Sequence, residues 1–184
     1  LDDIFNDNTS SFNIFCVRKV IIMTEGYKQP FEQRYKNMIA EPKCEEFLKN
    51  IKMPWMRFGF DISQTMPVKH WMKIPRTIRN TPDYMICADQ FYFLEVKGCK
   101  DFLRMKIKDL ESYKFWNGVY GGTCLFFIYS TLKGMQRIIS YHKLMALIET
   151  QKFPIKVYPD PGLKKEYYEI PINWIWKLKE HEIE

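Results

Sequence analysis

Asp83, Glu95 and Lys97 lie in the stretch "PDYMICADQFYFLEVK" (Pro82–Lys97), and together they are the residue types that hydrolyse a phosphodiester. Two converging carboxylates make a hard-oxygen site of the kind that holds Mg²⁺ or Mn²⁺, with waters and substrate phosphate completing the shell. The backbone carbonyl of Val96 would add a further ligand. A bound metal lowers the pKa of its water and offsets phosphoryl charge. A lysine two residues from Glu95 orients the attacking water or balances the negative charge that develops.

Convergence demands a particular local structure. "DYMICA" and "FYFLEVKG" read as two strands joined by a turn near Asp89-Gln90. Side chains alternate along a strand, so Glu95 and Lys97 share one face with Phe91 and Phe93, and Leu94 and Val96 share the other. A two-residue turn would pair Asp83 with Val96 and aim it away from Glu95. A three-residue turn, Ala88-Asp89-Gln90, or a bulge beside Asp83, puts the two carboxylates face to face.

The flanking elements follow from periodicity and punctuation. "FCVRKVIIM" (Phe15–Met23) reads as a strand and "PFEQRYKNMIA" as a helix that Pro42 interrupts, with "CEEFLKNI" a further helical piece. "WMRFGFDIS" (Trp55–Ser63) reads as a strand. Gln64–Thr81 reads as a long irregular loop. "DFLRMKIKDLESYKFW" reads as a helix capped by Asp101, with Leu103, Ile107 and Leu110 as its apolar stripe. "TCLFFIYS" (Thr123–Ser130) is a continuous apolar run, as for a strand covered on both faces. "MQRIIS" reads as a strand and "YHKLMALIET" as a helix. The sum is a mixed α/β domain around one central sheet.

Composition agrees with a folded, polyanion-binding protein. The chain has 184 residues, is 46% hydrophobic and 27% charged, and carries a formal net charge of +6. Those values exclude wholesale disorder and favour polyanionic partners. No run of apolar residues is long enough to span a membrane, and the N-terminus lacks the order of a signal peptide, so an intracellular protein without a membrane partner is expected. The five cysteines form no CxxC pair and are expected as free thiols. The scattered histidines show no ligand spacing. Two basic stretches are candidates for nucleic-acid contact: Lys69, Lys73, Arg76 and Arg79 in the long loop, and Arg104, Lys106 and Lys108 on the helix after the lysine. Trp174 and Trp176 read as core or interface.

Pro82-Asp83 with Glu95-Val96-Lys97, on adjacent strands with a helix before and a helix after, resembles the PD-(D/E)xK nuclease superfamily. The resemblance covers residues 27–130. It implies a restriction-endonuclease-like fold, an αβββαβ core with a central mixed four-stranded sheet flanked by helices, in a single domain 1–184. Residues 1–23 would be an N-terminal extension and 131–184 a C-terminal addition. It implies Asp83 and Glu95 as metal ligands, with the Val96 carbonyl, and Lys97 as the catalytic lysine. It adds an acid from the first helix, with Glu32 the best match and Glu45 or Glu46 as alternatives. Tyr113 is a weaker match to a side chain that some members carry on the following helix. The activity implied is Mg²⁺- or Mn²⁺-dependent hydrolysis of DNA, with branched or junction DNA favoured by analogy. A homodimer is a further expectation, because cutting two strands takes two sites. The alternatives are a non-catalytic nucleic-acid-binding protein on the same fold and an RNA-cleaving endonuclease.

Overall fold

The computed structural model describes residues 39–59, 68–88, 90–158 and 165–181. These belong to one unit, Met38–Glu184. The strand expected at Phe15–Met23, the helix expected from Pro30 and the acid Glu32 all lie outside the described residues.

The described α-helices and β-strands, in chain order, are α1 (Ala40–Asn50), β1 (Trp55–Arg57), α2 (Val68–Trp71), α3 (Arg76–Arg79), β2 (Tyr84–Cys87), β3 (Phe91–Cys99), β4 (Phe102–Lys106), α4 (Ile107–Trp116), β5 (Thr123–Ser130), β6 (Met135–Ser140), α5 (Tyr141–Gln151), β7 (Ile155–Val157), β8 (Glu166–Pro171) and α6 (Ile172–Lys177). The central sheet has the order β1-β2-β3-β5-β6. Its β3–β5 pair is parallel and its other pairs are antiparallel, so the sheet is mixed. The expected α/β architecture is therefore present, with β6 extending the four core strands.

Strand β5 shows why the core sits where it does. Leu125 and Phe127 pack on one side with Ala40, Cys44 and Leu48 of α1 and Tyr84, Leu94 and Val96 of the hairpin. Cys124, Phe126 and Ile128 pack on the other, with Tyr113 of α4, Leu144, Leu147 and Ile148 of α5, and Leu103 and Met105 of β4. A strand buried on both faces needs an unbroken apolar run, which is the pattern of "TCLFFIYS".

Several sequence expectations are corrected. Pro42 does not interrupt a helix. It lies in the first turn of α1, where its missing N–H leaves no hydrogen bond unmade. The segment after β3 is not one helix from Asp101. Phe102–Lys106 is a strand antiparallel to β8 in a second, three-stranded sheet of order β4-β8-β7, and the helix begins only at Ile107. Leu103 and Met105 are buried while Phe102 and Arg104 are exposed, a period of two that belongs to a strand. Arg104 and Lys106 therefore sit on β4, and only Lys108 of that basic stretch is helical. Asp101 caps no helix, and its carbonyl accepts from the Ile172 N–H at 2.8 Å. The expected loop Gln64–Thr81 contains the helical turns α2 and α3, and the strand expected over Trp55–Ser63 is confined to Trp55–Arg57 among the described residues.

Candidate active site

The β2–β3 hairpin satisfies the geometric demand made by its sequence. Cys87 pairs with Phe91, which leaves a three-residue turn, and Tyr84 pairs with Leu94. Continuing that register by one residue sets Asp83 opposite Glu95. The Ala88 N–H closes the turn on the Gln90 carbonyl at 2.9 Å.

Asp83 is held from two sides. Its carboxylate accepts from the Val96 N–H at 2.7 Å. Its carbonyl accepts from the N–H groups of Phe58 at 2.9 Å and Gly59 at 3.1 Å. Gly59 eases this close approach, because a Cβ at that position would stand 3.2 Å from the Asp83 Cα. The segment after β1 therefore sets the backbone from which Asp83 projects.

Glu95, Lys97 and Tyr113 form a closed triangle. Lys97 Nζ donates to Glu95 Oε1 at 2.5 Å, and the Tyr113 hydroxyl donates to the same oxygen at 2.6 Å. Lys97 Nζ also donates to the Tyr113 hydroxyl at 3.2 Å. Glu95 and Tyr113 are buried. A buried ion pair is a poor stabiliser, because desolvation offsets its Coulombic gain. Its presence in mid-sheet is a cue to function.

The electrostatics are consistent with that cue. Burial first, and then the charge of Glu95, push the Asp83 carboxyl well above its ordinary range, while Lys97 and the Val96 N–H act in the opposite direction. Burial alone would lower the Lys97 ammonium, but Glu95 and Asp83 outweigh it and hold the group above its usual value. Burial and then Glu95 keep the Tyr113 phenol protonated, so it stays a donor.

Helix α1 brings a residue that the sequence reading did not single out. Glu41, in its first turn, bears on the Asp83 carboxyl and bonds Arg57 at 2.9 Å. The Cys44 thiol, one turn on, is raised first by burial and then by Asp83. Gly98 admits this close packing, since a Cβ there would stand 3.3 Å from the Ala40 Cβ. Glu45 is engaged by Arg57 and the Tyr84 hydroxyl, and Glu46 by Lys43. The signal for Glu41 was Pro42 beside it, read as a helix break where it marks a helix start.

The two basic stretches have different surroundings. Arg76 lies 3.9 Å from Asp109 of α4, and Lys106 lies 3.6 Å from the same carboxylate. Arg104 is drawn to Glu169 of β8 at 3.1 Å. Arg79 donates to the Met72 sulfur at 3.1 Å. Lys69, Lys73 and Lys108 are exposed. Trp174 and Trp176 pack against the core, as expected.

Asp83 and Glu95 are hard-oxygen donors suited to Mg²⁺, which commonly takes one or two carboxylates from a protein and waters for the rest. No group of three or more His, Cys, Asp or Glu side chains arranged to hold a metal occurs among the described residues.

No family model matches the chain, and no curated protein matches it. Among solved structures it is similar to Hjc, a Holliday junction resolvase from the archaeal hyperthermophile Archaeoglobus fulgidus, at 12% identity and a TM-score of 0.45, over 73% of this chain and 88% of that one. It is also similar to a nuclease from a fusselovirus, at 13% identity and a TM-score of 0.37, over 94% of this chain and 89% of that one.

Proposed function

We propose that this chain is a metal-dependent nuclease that hydrolyses DNA phosphodiester bonds. The observation that carries the reading is the register of the hairpin, which sets Asp83 opposite Glu95 while Lys97 is bonded to Glu95.

In this reading Asp83, Glu95 and the Val96 carbonyl hold Mg²⁺ or Mn²⁺. When bound, the ion supplies an acidified water and a positive charge for the phosphoryl oxygens. Lys97 keeps its proton and balances the charge that develops on the phosphate. Tyr113 donates to Glu95 and so fixes the orientation of its carboxylate. Glu41, in the first turn of α1, is a further acid bearing on Asp83, and the expected helix acid Glu32, which lies outside the described residues, remains a proposal of the sequence alone.

Calorimetry with Mg²⁺ and Mn²⁺, paired with cleavage of duplex DNA, four-way junctions, flaps and RNA, tests the reading. It predicts metal binding and metal-dependent cutting of DNA, both lost in Asp83→Ala. Binding to DNA with no metal uptake and no cutting of any substrate would establish the non-catalytic alternative instead. Preferential cutting of four-way junctions would support the junction-selective form, and a size measurement of the complex would test the homodimer.

A further inference from the structure

We propose that Arg76 and Lys106, yoked by the shared carboxylate of Asp109, form a clamp for a backbone phosphate of the bound nucleic acid. The inference rests on the nuclease reading for its substrate and goes beyond it in assigning a subsite. Asp109 and Tyr113 are four residues apart on α4, so they lie on one face of the helix as direct neighbours. The clamp therefore stands one helical turn from the Glu95–Lys97–Tyr113 triangle. Asp109 is close enough to bear on Lys97 and Tyr113 electrostatically.

Two sequence-distant cations meet there for a structural reason. Asn80, which follows α3, donates to Asp109 Oδ1 at 3.1 Å and to the Ser112 hydroxyl at 3.2 Å. The Trp116 indole N–H donates to the Thr77 carbonyl at 2.9 Å. These bonds dock α3 along α4 and bring Arg76 to one oxygen of the Asp109 carboxylate, whose other oxygen faces Lys106, the residue directly before the helix. Asp109 is 19% exposed while Arg76 and Lys106 are each 43% exposed, so the anion lies beneath two cations that reach solvent. Two cations sharing one anion retain a net positive charge. A planar guanidinium and an ammonium gathered at one carboxylate suit the oxygens of a phosphodiester.

The test is the binding of a fluorescent DNA duplex and a four-way junction over a range of salt, with Ca²⁺ in place of Mg²⁺. Arg76→Ala and Lys106→Ala should each weaken binding and lower the slope of log K against log salt by about 1. The double variant should lower it by about 2. Arg76→Lys should restore most of the slope. Lys156→Ala, which removes a comparably exposed cation on β7, should leave both quantities unchanged. Circular dichroism confirms the fold of each variant. Unchanged affinity and slope in Arg76→Ala and Lys106→Ala would overturn the clamp even if the protein cuts DNA. Loss of slope in a protein that cuts nothing would uphold the clamp and reject the nuclease reading.

Discussion

The backbone N–H of Val96 reaches across the hairpin to the carboxylate of Asp83 at 2.7 Å. The strand that carries Glu95 and Lys97 thus also aims Asp83.

Asp83→Asn should separate function from folding. An asparagine side chain can still accept the Val96 N–H, but it brings no anionic charge to a metal. Cleavage should fall by roughly 10²-fold or more, while thermal denaturation shows no loss of stability, because a carboxylate opposed by burial and Glu95 is removed. An equal fall in stability and activity would contradict the assignment.

Tyr113→Phe keeps the ring packed edge-on against Phe126, at 5.3 Å between centroids, and removes only the hydroxyl. Glu95 loses a donor and Lys97 an acceptor. The cleavage rate should drop about 10-fold, and stability by about 1 kcal/mol. Single-turnover kinetics and denaturant titration measure the two effects.

Gly59→Ala should act through position alone. The added Cβ would stand 3.2 Å from the Asp83 Cα, so backbone must give by a few tenths of an ångström. Small displacements at a reacting centre are costly. Catalytic rate should fall several-fold, and metal affinity measured by calorimetry should weaken with it, while the circular dichroism spectrum is retained.

Glu169→Gln probes the second sheet. Glu169 accepts from Lys156 at 2.5 Å and Arg104 at 3.1 Å, linking β7, β8 and β4. The Lys156 bond first, against a penalty from burial, and then Arg104 hold its carboxyl below the ordinary 4.5. A depressed acid stabilises the fold above its unfolded pKa and loses that contribution as pH falls through the folded one. The variant should be less stable by about 1 kcal/mol or less at pH 7, since its partners are half-exposed. The difference should vanish as the pH falls below 4.5, which denaturation midpoints across pH will show.

The sequence by itself determined the two strands and their parity, and with them the condition under which Asp83 meets Glu95. The structure selected the three-residue turn, among the options the sequence left open, that sets the two opposite each other. The buried run Thr123–Ser130 was equally legible, because both faces of that strand need apolar cover. What only the tertiary structure decided involves partners distant in the chain. Phe102–Lys106 becomes a strand because β8, about sixty residues on, offers a ladder that no local window contains. Glu41 bears on Asp83, and Arg76 and Lys106 approach one Asp109 carboxylate, because packing joins elements whose spacing carries no periodic signal. Local rules place the strand pair that carries the two carboxylates, and long-range packing selects which charges surround it.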